Sequence, residues 1–140
     1  ELENIKKLSE EYCLKSVIFH GRQPVEKMPE YYAMADAMLV TMQKDPVLSM
    51  TLPGKVQTYM AAGKPIIGAI DGECSNIIAE ARCGLCGGAE NAEVLVGCVK
   101  AFANIQHDGI NKNAVKYYED NFSKSGFTKL LESNLRLKNV

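Results

Sequence analysis

Apolar residues recur every three or four positions at the start of the chain. Leu2, Ile5, Leu8 and Tyr12 form one stripe on a segment otherwise built of Glu, Lys and Ser, which predicts an amphipathic helix. Val17 to His20 breaks that period: a β-branched and aromatic run stopped by Gly21 reads as a short buried strand. Helical spacing returns over Pro24 to Met34, where Tyr31, Tyr32 and Met34 are assigned to core packing rather than to stacking on a base. Ala37 to Met42 reads as a second strand, and Gln43 to Leu52 as the longest loop. Pro53 stands where proline is best tolerated, in the first turn of a helix that runs to Ala61, with Gly63 as its left-handed stop. Pro65 to Ile70 is a third strand. Asp71 and Gly72 turn the chain into a helix from Glu73 to Ala81, and Gly84 to Cys86 is a weak fourth strand. From there the period is helical to the end, through Val94, Leu95, Cys98, Val99, Phe102 and Ile105, then Ala114, Val115, Tyr118 and Phe122, then Phe127, Leu130, Leu131 and Leu135.

Strands that are apolar throughout and alternate with helices predict a parallel sheet covered on both faces. The expected fold is α/β: a Rossmann-like doubly wound sheet with C-terminal helices, in one domain over residues 1–140. In such folds ligands gather at the carboxyl ends of the strands, which here means Gly21 to Pro24, Gln43 to Gly54 and Asp71 to Ser75.

Composition narrows the classes of function. The chain is 46% apolar and 24% charged, which excludes a disordered or collagen-like protein. Its 16 basic and 17 acidic residues leave a net charge of −1, so there is no electrostatic footprint for nucleic acid. The longest apolar runs, Ala37 to Val40 and Pro65 to Ile70, are far shorter than the roughly 18 residues that cross a bilayer. Five cysteines make an odd count without a disulfide framework, and Cys13, Cys74 and Cys98 lie in or beside apolar helical patterns as small hydrophobes, which fits a reducing cytosol. The chain opens on Glu1 inside a charged amphipathic pattern and is expected to be a piece of something longer.

The chemistry concentrates in Ser49-Met50-Thr51-Leu52-Pro53-Gly54-Lys55. It follows a strand and opens a helix whose first amides lack internal acceptors, so amides and helix dipole together favour an anion. Gly54 allows close approach to the backbone, Ser49 and Thr51 carry hydroxyl donors, and Lys55 adds a full charge. That package suits a diphosphate. The plainer alternative is an ordinary helix start, capped by Ser or Thr, with Lys55 in water. Cys83-Gly84-Leu85-Cys86 is assigned a structural role: it does not follow a strand at a helix start as a redox pair would, and no further ligands stand at zinc spacing. His20 and His107 are isolated, and His20 at a strand end is read as packed. Glu73, at a helix start, is either a first-turn acid favoured by the dipole or a contact to a sugar.

The run Lys55 to Ile67, Lys-Val-Gln-Thr-Tyr-Met-Ala-Ala-Gly-Lys-Pro-Ile-Ile, resembles the donor-binding C-terminal domain of family 4 (group 1) glycosyltransferases of the GT-B architecture. The likeness continues in Val17-Ile18-Phe19-His20-Gly21-Arg22, Met28-Pro29 before Tyr31-Tyr32, Ala35-Asp36-Ala37, Asp71-Gly72-Glu73, and Tyr117-Tyr118 with Asn121-Phe122-Ser123, over roughly residues 1 to 132. The resemblance implies retaining transfer of a sugar from a nucleotide diphosphate sugar, a co-substrate rather than a cofactor, with no metal. It implies that Ser49, Thr51, Leu52, Gly54 and Lys55 meet the diphosphate, and that Gly21, Arg22 and Gln23 hold the base. Many members carry two glutamates eight positions apart for sugar and ribose; Met50 and Thr58 stand at those positions here. Ribose recognition then falls to Thr58, a weaker partner, and no catalytic base is assigned.

The resemblance further implies that two strands, a basic phosphate clamp and an acceptor domain precede Glu1. The sheet is therefore expected to have a gap or a repaired pairing between Val17 to His20 and Ala37 to Met42, and the chain to be inactive alone. The acceptor implied is a glycan or lipid-linked chain of bacterial cell-envelope or capsule polysaccharide, handled in the cytoplasm at the inner membrane face, with membrane association through the absent domain. Two other readings stay open. One is a nucleotide-sugar 2-epimerase, against which stands the lack of a His-Glu cluster; the other is a non-catalytic flavodoxin-like binding module.

Overall fold

Ile66–Ala69 (β2) is buried along its whole length, as a continuous apolar strand must be when it lies between two neighbours and two helical layers. In the computed structural model, which describes residues 2–105 and 109–136, its neighbours are Met38–Thr41 (β1) and Gly84–Gly87 (β3). Both pair with it in parallel, in the order β1-β2-β3, with Met38 opposite Ile66 and Ile66 opposite Gly84. Glycine is required at the second junction: a Cβ on Gly84 would stand 1.9 Å from the Ile66 carbonyl oxygen.

Side chains alternate across the sheet. Ile66 and Ile70 face a core built with Val40, Val56, Met60, Cys74, Ile78 and Ala114. That core lies under the two crossover helices, Gly54–Ala61 (α4) and Glu73–Glu80 (α5), and under Ile110–Asn121 (α7), which packs on α4. Ala92–Asn104 (α6) covers β2 and β3 on the other face, with Phe102 buried beneath it. The remaining helices are Leu2–Glu11 (α1), Met28–Met34 (α2) after a 3-10 turn at Val25–Lys27, Pro46–Ser49 (α3) and Lys124–Arg136 (α8). The mixed α/β architecture with a parallel sheet is that of a partial Rossmann-like fold.

Several expectations need correction. Val17 to His20 is irregular chain rather than a strand, and Ile18 is 73% exposed. A run of strand-forming residues becomes a strand only where another backbone accepts its hydrogen bonds, and none of the three described strands lies beside it. The sheet accordingly has no internal gap: its strands are contiguous, and β1 has β2 as its one described neighbour. The stripe of Leu2, Ile5 and Leu8 forms the predicted helix but buries no residue. The 43–52 loop contains α3, because Asp45 caps it and Pro46 fixes its first turn. Met34 is exposed, whereas Tyr31 packs edge-on against His20 at 5.1 Å and Tyr32 against Tyr59 at 5.6 Å. Cys13 is exposed too. His107 and the Leu130 side chain lie outside the described residues.

Candidate functional site

Three loops leave the carboxyl ends of the strands, at residues 42–53, 70–72 and 88–91, and they are tied to one another. The Lys44 amide donates to Glu90 Oε1 at 3.2 Å, and the Ala89 amide donates to Asp71 Oδ1 at 3.2 Å. Ser49 and Gly72 meet more closely still: a Cβ on Gly72 would lie 2.1 Å from the Ser49 carbonyl oxygen. Asp45, Asp71 and Glu90 each spend a carboxylate oxygen on backbone amides of their own or neighbouring loops.

The first loop delivers the start of α4. Asp45 Oδ1 accepts from the amides of Val47 and Leu48 at 2.8 and 2.9 Å and caps α3. Ser49 Oγ donates to the Pro46 carbonyl and Thr51 Oγ1 to the Leu48 carbonyl, both at 2.8 Å. Neither hydroxyl therefore caps α4: the N-cap is Pro53, without a side-chain hydrogen bond, while Lys55 is exposed as a plain helix start would also have it. The Val56 amide turns back to the Pro53 carbonyl at 2.9 Å. Among the described residues, the amides of Gly54 and Lys55 have no acceptor and Lys55 has no ion-pair partner. Gly54 and Lys55 are exposed, open space surrounds the Gly54 Cα, and Leu52 is half-buried against the core. Two free N–H groups, the positive end of a helix and a free ammonium group can together hold a doubly charged anion.

The other nominated residues lie elsewhere. Thr58, one turn further along α4, donates its hydroxyl to the Gly54 carbonyl at 3.0 Å. It lines a groove of about 460 Å³ between α2 and α4 with Pro29, Tyr32 and Lys64. Gly21, Arg22 and Gln23 belong to the irregular segment before α2. Gly21 has a φ of 67°, Arg22 is exposed, and the Gln23 side-chain amide donates to the His20 carbonyl. Glu73 is exposed in the first turn of α5, where the dipole favours an acid.

Some residues with clear work here had no signal in the sequence. Lys64 Nζ donates to the Ala33 and Ala35 carbonyls at 3.1 and 3.0 Å, so its cation closes the end of α2. Glu90 has an equally specific partner, 46 positions away in the chain.

All five cysteines are free thiols. Burial pushes Cys74 and Cys83 up to about 11 and Cys86 to about 12, so these three are protonated near neutral pH and poor nucleophiles. Among the described residues no group of three His, Cys, Asp or Glu side chains is placed to hold a metal ion.

The family model described as "Glycosyl transferases group 1" matches residues 1–121. Among curated proteins, none matches the chain.

Proposed function

The chain belongs to the group 1 glycosyltransferases, and on that premise we propose that it binds the nucleotide diphosphate of a sugar donor at the start of α4. The reading rests on one observation above all: at the start of α4, which the loop after β1 delivers, the amides of Gly54 and Lys55 have no acceptor, the Lys55 ammonium group has no ion-pair partner among the described residues, and both residues are exposed. When a sugar is transferred, the bond from its anomeric carbon to the phosphate oxygen breaks and the diphosphate keeps the electron pair. Charge grows on that leaving group, and fixed N–H groups and a cation beside it stabilise the transition state more than the ground state.

Ser49, Thr51 and Leu52 shape the approach to these amides. Gly21, Arg22, Gln23 and Thr58 are proposed for base and ribose, and Glu73 for the sugar. The acceptor, a glycan or lipid-linked chain of the bacterial cell envelope, is proposed to sit on a separate domain, with transfer retaining and at the cytoplasmic membrane face. No helix among the described residues is long and apolar enough to cross a membrane.

Substitution at the two key positions tests the site. Lys55→Ala should erode the preference for a nucleoside diphosphate over its nucleoside by roughly ten- to a hundredfold, the worth of a charge-assisted contact. Gly54→Val should weaken both ligands by obstructing approach. A Lys55→Ala protein that keeps the full preference in calorimetric titration would remove Lys55 from the site.

A further inference from the structure

Resting on the diphosphate reading above, we propose that Asp45 and Gly72 are positioning residues: Asp45 makes residues 45–51 one stiff turn, and Gly72 is the seat on which that turn rests. Together they fix where the amides of Gly54 and Lys55 point.

The turn is held from within by four contacts, two from Asp45 to the amides of Val47 and Leu48 and one each from the Ser49 and Thr51 hydroxyls. The Ser49 amide also donates to the Asp45 carbonyl at 2.9 Å and the Thr51 amide to the Leu48 carbonyl at 3.1 Å. A unit so tied moves as a body. Its two ends are anchored, by the Met42 amide on the Ala69 carbonyl and by Val56 in the core, so a shift at Ser49 is passed to residues 51–55.

Gly72 has φ 70° and ψ −142°, a combination that only glycine adopts without strain. Starting a helix does not require a crowded glycine. Gly109 is likewise the N-cap of a helix at positive φ, 95°, and a Cβ there would meet nothing within 4 Å. At Gly72 a Cβ would fall 2.1 Å from the Ser49 carbonyl oxygen, 2.7 Å from its carbon and 2.8 Å from its Cβ. Two of those atoms are main chain and cannot rotate away. Either the turn lifts or the start of α5 yields.

The experiment uses the full chain, amide NMR shifts of Gly54 and Lys55 without ligand, and titration with inorganic pyrophosphate, which needs no knowledge of the base. Gly72→Ala and Asp45→Ala should move the ligand-free Gly54 and Lys55 resonances and weaken pyrophosphate about tenfold. Gly109→Ala, which likewise puts a side chain at positive φ but without the contact, should do neither. Asp45→Asn keeps the cap and should restore both readouts. This pair also separates position from charge, since loss of a carboxylate near the site would on electrostatic grounds alone strengthen anion binding. Should Gly72→Ala fail to fold, the Asp45 pair decides. Gly54 and Lys55 resonances unmoved in the folded variants would overturn the proposal. A wild-type protein that ignores pyrophosphate would instead overturn the diphosphate reading, whichever way the ligand-free shifts fall.

Discussion

Three helices end on the same hydrogen-bond pattern with three different residues at its left-handed position: Cys13 after α1, Gly63 after α4 and Arg82 after α5, with φ of 50°, 64° and 50°. In each, the left-handed residue's amide reaches back to Glu10, Met60 or Ala79, and the next amide to Ser9, Tyr59 or Ile78. Glycine takes that conformation freely, whereas a side chain costs about 1–2 kcal/mol there. Part of the difference returns as the greater unfolded-state entropy of glycine. Arg82 is exposed, and its hydrogen bonds are made by its main chain: the amide donates to the Ala79 carbonyl, and the carbonyl accepts from the Asn113 side-chain amide at 3.2 Å. Arg82→Gly should therefore stabilise the fold by about 0.5–1 kcal/mol, read as a higher urea midpoint at unchanged slope. A lower midpoint would show that the Arg82 side chain does more than its exposure suggests. Gly63 was legible in the sequence as a helix stop, because glycine after a helical period has that one common use. Arg82 and Cys13 were not, since nothing in their chemistry marks a left-handed site.

At the scale of elements, what could be read depended on where each one's partners lie. α4, β2 and α5 carry their reasons locally: a proline before the helix, a glycine after it, an apolar strand, an Asp-Gly turn. Val17 to His20 carries the side chains of a strand, but strand formation is settled by a distant backbone, and no local feature of the sequence reports whether that backbone is present. Ser49, Thr51, Gly54 and Lys55 could be read from the sequence as a candidate anion loop at a helix start, whereas the contacts of Gly72 with Ser49 and of Glu90 with Lys44 were hidden, the latter spanning 46 positions. Burial now orders the elements by expected stability. β2 is enclosed on both faces and both edges, whereas α1 buries no residue. Amides of β2 should exchange with solvent only through global unfolding, and those of α1 faster by several orders of magnitude. Equal protection of α1 and β2 in native-state hydrogen exchange would mean that the Leu2, Ile5 and Leu8 stripe is covered in solution.

Taken as a whole, the molecule has a closed core on one side of a three-stranded sheet and a gathered set of loops at the strands' carboxyl ends, as an α/β fold requires for a ligand site. Its net charge of −1 provides no general attraction for anions, so any affinity for a diphosphate has to be local. That makes one comparison decisive. Calorimetric titration of the protein with nucleoside diphosphates of the common bases, and with the matching nucleosides, isolates the contribution of the phosphates. For at least one base the diphosphate should bind about ten- to a hundredfold more tightly than its nucleoside, with the advantage shrinking as salt rises. Equal affinities for every such pair would contradict a diphosphate site at Gly54 and Lys55 and leave the start of α4 a purely structural element.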